Sequence, residues 1–325
     1  MSAASDWKIP PQVQPKAADY TFDLERALGS VVALRATVPP DAFTAETLGT
    51  ERGGSAVLIQ PDGIVLTIGY LITEATQVWL TTNDGRPVPG HVLGYDQVTG
   101  FGLVQALGQL DVPTLPLGSS RALHLGERVV VAAGGGRERS VAAQIVARQE
   151  FAGYWEYVLP DALFTAPAHP FWGGTALIGP NGDLVGIGSL QVPHQLGSGR
   201  VVPLNMLVPI DALKPILDDL LRFGRPNRPA RPWLGVFATE ADDKIVIMGL
   251  AGDGPASRAG LRAGDVVLAV AGHEVSDLAG FFGAVWALGA AGVDVPLAID
   301  REGDAFEVRV TSGDRNRFLR TPSLH

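Results

Sequence analysis

The stretch HPFWGGTALIGPNGDLVGIGS, His169–Ser189, sets two glycines, Gly173 and Gly174, between bulky aromatics and a strand-like run. A turn of that build either presents a reactive side chain or closes around nothing. Serine catalysis needs an attacking hydroxyl, a base within hydrogen-bond reach and a group that orients the base. The chain offers hydroxyls at Ser55, Ser119, Ser140 and Ser189 and imidazoles at His91, His124, His169 and His273, scattered without a recognised pairing. His169, just before Pro170, has no nucleophile and orienting carboxylate beside it and reads as a surface or loop histidine. Gly134-Gly135-Gly136 lacks the Lys-Ser/Thr ending of a phosphate loop and the spacing of a dinucleotide fingerprint, so it reads as a turn. Asp218-Asp219 and Asp242-Asp243 are adjacent rather than convergent, the pattern of solvated helix or turn faces and not of a metal cage or a glycosidase pair. No metal site and no cofactor is expected. The absence of cysteine excludes disulfides, thiolate nucleophiles and cysteine-ligated metals.

The elements that must position these groups are mostly short strands. GSVVALRA reads as a strand, GGSAVLIQPDGIVLTIGYLI as strand, turn and strand about Pro61-Asp62-Gly63, and TQVWLTTNDGRPVPGHVLGYD repeats the device at Asn83-Asp84-Gly85. FGLVQAL, RVVVAAG, SVAAQIVAR, TALIGP and DLVGIGSL continue the series. Many short strands without regularly inserted helices favour a barrel or sandwich over a doubly wound parallel sheet. The period changes in PIDALKPILDDLLRF, Pro209–Phe223, where Leu213, Ile216, Leu217, Leu220 and Leu221 share a helical face. After the stiff, exposed GRPNRPARP comes a unit of independently foldable size. In it KIVIMGL and DVVLAVAGHEV read as strands, GPASRAGL and LAGFFGAVWALGA as helices, and DVPLAIDREGDAFEVRV as a hairpin.

A chain of 325 residues with 46% hydrophobic residues is long and apolar enough to bury substantial cores. Its 25 basic and 34 acidic residues give a net charge of −9, which disfavours non-specific attraction to nucleic acid or to an anionic membrane. No apolar run reaches the roughly 18–20 residues of a membrane helix, so no membrane insertion is expected. The opening MSAASDWKIPPQVQPKAADY does not read as a secretory signal. With Met1 as the native start a cytoplasmic protein is expected; removal of a signal peptide would leave the periplasm open.

RPWLGV followed by GPASRAGLRAGDVVLAVAGHEV resembles a PDZ domain of the kind appended to bacterial HtrA-type (DegP-like) proteases. GGSAVLIQPDGIVLT, DGRPVPGHVLGYD, LPLGSSRALHLGERVVVAAG and GGTALIGPNGDLVGIG resemble successive pieces of that family's trypsin-like domain. The resemblance covers about residues 25–312 and implies a mainly β protein: a trypsin-like double β-barrel followed by a PDZ domain of strands with two helices. The expected layout is a flexible N-terminal arm at 1–20, the barrel domain at 21–223, a linker at 224–232, the PDZ domain at 233–312 and a tail at 313–325.

Carried over residue by residue, the family pattern puts Tyr70 of LTIGYLI at the general base, Gly100 of YDQVTGFGLV at the orienting aspartate and Gly173 of HPFWGGTAL at the nucleophile. Phe171 and Trp172 occupy the oxyanion loop. Gly173 has no side-chain hydroxyl, and a phenol that titrates near 10 is a poor base at neutral pH. From these positions an inactive serine protease homologue, not an enzyme, is expected. In the PDZ resemblance Trp233-Leu234-Gly235-Val236 form the carboxylate-binding loop and the adjoining strand edge. The expected function is therefore non-proteolytic binding of extended peptides or protein C-termini, in a scaffold, adaptor or chaperone role. Two alternatives stand beside it: an atypical serine hydrolase with a noncanonical site, and a structural assembly subunit whose groove is unused. The resemblance also implies a homotrimer or an assembly with active relatives, with Tyr20 and Phe22 as candidate aromatic contacts.

Overall fold

The computed structural model describes residues 7–197 and 199–320. Two closed six-stranded barrels and a third, open sheet account for most of them. The first barrel is built from β1 (Val31–Thr37), β2 (Glu51–Leu58), β3 (Ile64–Ile68), β4 (Gln77–Thr81), β5 (Pro87–Tyr95) and β6 (Phe101–Ala106), in the order β1-β2-β3-β6-β5-β4. The second uses β7 (Arg128–Ala132), β8 (Ser140–Gly153), β9 (Tyr157–Ala166), β10 (Ala176–Ile178), β11 (Leu184–Gln195) and β12 (Val201–Pro209), in the order β10-β11-β12-β9-β8-β7. β3 and β10 are buried along their whole length, β10 as an unbroken apolar run and β3 with one polar residue, Thr67, whose hydroxyl donates to the Ser55 carbonyl at 2.7 Å, whereas β4 alternates outward Gln77 and Trp79 with inward Val78 and Leu80.

The expected helix over Pro209–Phe223 is broken. A 3-10 turn at Ile210–Ala212 precedes an α-helix restricted to Leu217–Phe223. Pro215 between them lacks a backbone N–H and biases Lys214 away from helical dihedrals, which explains the interruption. Leu213, Ile216 and Leu220 still turn inward, so the apolar face survives the break.

The third sheet carries β13 (Val236–Ala241), β14 (Lys244–Leu250), β15 (Val266–Val270), β17 (Asp294–Arg301) and β18 (Asp304–Thr311) in that order, with the short β16 (His273–Glu274) paired to β15. Asp242 and Asp243, both at left-handed φ, make the two-residue turn between β13 and β14, so this pair shapes a hairpin. A helix at Leu278–Ala287, opened by the Asp277 side chain accepting from the Gly280 N–H at 2.7 Å, buries Leu278, Phe281, Phe282 and Val285 at helical spacing. They pack with Leu234, Ile245, Ile247, Val267, Leu297 and Ile299 in one apolar cluster.

The described residues divide into two compact units, 7–149 with those of 161–226, and 150–160 with 227–320. The tip of the β8–β9 hairpin, read from sequence as part of the first domain, therefore packs with the second. One further expectation, the flexibility of the N-terminal arm, is corrected. Residues 1–6 of the arm lie outside the described residues, but the rest is anchored: Ile9 is 3% exposed, its N–H donates to the Glu138 carbonyl at 2.8 Å, and Trp7 and Val13 pack on the core of the second barrel. The tail is likewise held over 313–320, where Trp233 and Gly313 exchange backbone hydrogen bonds at 3.0 and 2.8 Å and Phe318 lies 4.8 Å from the Trp233 ring; residues 321–325 lie outside the described residues.

Phe281→Ala removes a fully buried ring from the core of the second unit. It should cost about 3–5 kcal/mol, read as a lowered urea midpoint for the unfolding of that unit.

Candidate functional site

The structure brings Tyr70, Gly100 and Gly173 together within the first unit. Tyr70 sits on the single turn Gly69–Leu71 that follows β3. Its hydroxyl donates to the Ser189 carbonyl at 2.8 Å, and its own carbonyl accepts from Arg52 Nη1 at 2.8 Å. Burial pushes the Tyr70 phenol far above its ordinary value of 10, with a hydrogen bond from the Trp172 side chain pulling the other way. Gly100, at φ +86°, ends the loop before β6; its carbonyl accepts from the Gly69 N–H at 2.6 Å and its N–H donates to the Asp96 carbonyl at 2.8 Å.

Gly173 faces Tyr70 closely. A Cβ there would stand 2.8 Å from the Tyr70 hydroxyl oxygen. The turn that carries it is fixed by main-chain contacts between the two barrels: the Ser55 N–H donates to the Gly173 carbonyl at 2.9 Å, and Gly174, at φ +73°, packs so tightly that a Cβ would lie 1.9 Å from the Ser55 carbonyl oxygen. Gly134 joins the same junction, its N–H donating to Ser55 Oγ at 3.1 Å, while the Gly135 N–H donates to Asn83 Oδ1 at 2.6 Å. The glycine triplet thus serves as a close-approach turn in the first unit.

His169 lies in the loop after β9, as one of the two readings has it, but is fully buried and not at the surface. Its Nε2 pairs with the Arg139 carbonyl at 3.0 Å and its Nδ1 accepts from the Phe171 N–H at 3.1 Å, an arrangement that requires the neutral Nε2–H tautomer. Desolvation lowers its pKa, against those two backbone hydrogen bonds. The Asn205 side chain accepts from the His169 N–H at 2.6 Å and donates to its carbonyl at 3.0 Å. Phe171 is half exposed and packs tilted against Trp7 at 4.3 Å between ring centroids; Trp172 is partly buried. The expected assembly aromatics Tyr20 and Phe22 lie 5.3 Å apart, with Phe22 seated on Gly182 of the same chain.

The second locus lies wholly within the second unit. Leu234, Gly235 and Val236 aim three consecutive N–H groups at one point, with Gly235 at φ +77° turning the chain between them. The acceptor at that point is the Glu156 carboxylate: Oε2 takes the Leu234 N–H at 3.0 Å and Oε1 takes those of Gly235 and Val236 at 2.7 and 3.0 Å. Trp233 is buried beside them. Desolvation pushes the Glu156 carboxyl up from 4.5 to about 7, against the three N–H bonds and the charge of Arg315. Glu156 was not among the residues picked from sequence; GYWEY carries no motif, and the contact spans 78–80 positions.

Residues 54–187 match the trypsin-like peptidase domain family and residues 232–311 the PDZ domain family. A protein of Halomonas elongata named as a probable periplasmic serine endoprotease, DegP-like, is 30% identical over 277 residues, 80% of this chain and 56% of that protein. A Pseudomonas putida protein of the same name is 28% identical over 276 residues, 80% of this chain and 55% of that one. Serine endoprotease DegS of Haemophilus influenzae is 28% identical over 235 residues, 68% of this chain and 65% of its own. The chain spans about half the length of the DegP-like relatives it matches. Among solved structures, an HtrA-type protease AlgW with decapeptide aligns at a TM-score of 0.54 and 22% identity, covering 92% of this chain and 98% of that one. These names overturn the expectation that the chain is not an enzyme: the proteins it matches in sequence are named serine endoproteases. Inactivity is therefore not the reading carried forward for the cleft.

Gly174→Ala combines left-handed strain with a main-chain clash and should destabilise the first unit by at least about 3 kcal/mol, measured by denaturant titration. Glu156 sets a pH dependence of opposite sign to that of an ordinary ion pair. Because its folded-state pKa is raised, folding gains most below 4.5, where the group is protonated in both states, and the gain is lost as pH rises through about 7. The melting temperature of the wild type minus that of Glu156→Gln should fall between pH 4.5 and 7 and level off above; a flat difference contradicts the assignment.

Proposed function

The chain belongs to the HtrA family, a trypsin-like peptidase domain followed by a PDZ domain, and from that premise we propose that it binds extended peptides or protein C-termini through the PDZ groove. One observation carries the reading: three converging N–H groups at Leu234, Gly235 and Val236 hold a carboxylate. Charge-assisted hydrogen bonds to an anion are stronger than neutral ones, and a terminal carboxylate has the same two oxygens as a glutamate side chain. β13 adds the second requirement. It is the outer strand of its sheet, and its Ala238 N–H donates outward to the Tyr154 carbonyl at 2.9 Å, the pairing that an added peptide strand would make.

The assignment of Tyr70, Gly100 and Gly173 to the triad positions, with Phe171 and Trp172 in the oxyanion loop, belongs to the same proposal. It is supported by their convergence on one cleft between the two barrels. Peptide hydrolysis is the second reading, favoured by the names of the relatives. An attacking hydroxyl for it would come from a serine or threonine outside those three positions. A scaffold, adaptor or chaperone role, and assembly into a homotrimer or with active relatives, extend the first reading; native mass spectrometry checks the assembly. The DegP-like relatives are named periplasmic, so the periplasm is the compartment proposed. No helix among the described residues is long and apolar enough to cross a membrane.

Fluorescence anisotropy with a labelled decapeptide pool ending in Val, Leu, Phe or Ala tests the binding reading. The free-acid pool should bind about 10- to 100-fold more tightly than its C-terminally amidated twin, the difference that hydrogen bonds to a charged group confer. Equal binding of the two pools overturns the proposal. Incubation of the same protein with unfolded casein separates the readings: fragments that vanish on replacement of one hydroxyl residue favour hydrolysis.

A further inference from the structure

We propose that the tip of the β8–β9 hairpin, residues 150–160, is a built-in ligand of the PDZ groove, seating the Glu156 carboxylate where an incoming C-terminus binds, so that an external peptide enters only by displacing it. The inference rests on the reading of this groove as a C-terminal peptide site and adds its regulation.

Three separate features of a bound peptide are reproduced by this one segment. The Glu156 carboxylate takes every N–H of the loop at Leu234, Gly235 and Val236. Two residues upstream, the Tyr154 carbonyl accepts from the Ala238 N–H, so the segment also pairs with the free edge of β13. Two residues downstream, Val158 is 9% exposed inside the apolar cluster that contains Leu234, Val236, Ile245 and Ile247. A surface glutamate that met a loop by chance would satisfy one of these conditions, not all three.

The tip is also built to hold this position. Glu156 has φ +60°, an uncommon conformation for a residue with a side chain, and it is the residue whose side chain enters the loop. Trp155 stacks on Tyr157 at 5.6 Å, Tyr154 meets Trp155 edge-on at 4.8 Å, and Tyr154 also approaches Phe237 of β13 at 6.1 Å. Arg315, whose charge acts on Glu156, comes from the segment that follows β18. Segment and groove therefore form one packed body, in keeping with the grouping of residues 150–160 with the second unit.

The test compares the full wild-type chain with Glu156→Ala and Glu156→Gln. Amide hydrogen exchange should quicken at Leu234–Val236 and at Ala238 in Glu156→Ala. Affinity for the free-acid decapeptide pool should rise about tenfold, as removal of an occupied, incompetent state requires. Glu156→Gln, whose amide oxygen still accepts, should move both readouts in the same direction by less, and it serves if the alanine variant misfolds. In the wild type, saturating free-acid pool should quicken exchange at residues 152–157. Protection that is unchanged in both variants overturns the proposal. Equal peptide affinity in all three proteins overturns it while leaving the peptide-binding reading intact, and binding by none of them overturns both.

Discussion

Three consecutive backbone N–H groups aimed at one point require an acceptor, and the second unit is organised around supplying it. Each buried N–H left unpaired costs about 1–3 kcal/mol, so the loop at Leu234–Val236 is unfavourable as a dry, empty structure. A left-handed Gly235 brings the three donors to the same side, and such a concave set of amides is an anion site by construction. The chain answers with Glu156, whose two oxygens have enough lone pairs for all three bonds. That solution carries its own cost. Removing the carboxylate from water outweighs what the amides and Arg315 return, which is why its pKa rises instead of falling.

The inter-barrel cleft is governed by a different constraint, in which main chain meets main chain. Gly174 has no room for a Cβ against the Ser55 carbonyl, and a Cβ on Gly54 would lie 2.5 Å from the Gly173 carbonyl oxygen. The turn is held from behind by His169, whose neutral ring accepts the Phe171 N–H while Asn205 clamps its backbone. None of these contacts involves a side chain at position 173. The main-chain contacts of the turn do not depend on a side chain there; a Cβ at 173 would meet the Tyr70 hydroxyl at 2.8 Å and the Leu71 methyls at 3.6 and 3.7 Å.

Legibility from sequence followed the range of the interaction. Strand periods, turn pairs such as Asp242-Asp243 and the apolar face of the helix at Leu278–Ala287 are local, and each was readable. Pro215 was readable too, yet the leucine pattern around it suggested one helix, because burial of Leu213, Ile216 and Leu220 does not need the helix to be continuous. The loop at Trp233–Val236 was identified from a resemblance, but what it holds was not. Glu156 lies 78 residues away from Leu234 in a stretch whose only signal is aromatic. The same holds for Ile9, which reads as part of a polar arm until the second barrel is present to bury it, and for His169, whose partners at Arg139 and Asn205 are 30 and 36 residues distant.

Whether an internal ligand dominates its groove depends on two opposed magnitudes. A side-chain carboxylate reaches the loop only if the main chain turns away at once, which Glu156 does at a left-handed φ costing about 1–3 kcal/mol. A chain terminus needs no such turn, so contact for contact it is the better ligand. The tether favours the tip. A segment joined to its site by the same chain is present at an effective concentration on the order of 1 mM, about a thousandfold above a micromolar peptide, or roughly 4 kcal/mol. The tether therefore exceeds the strain by a small margin. A groove poised this way is closed to weak, dilute chain ends and opens to those whose apolar last residue, or whose local concentration, makes up the difference.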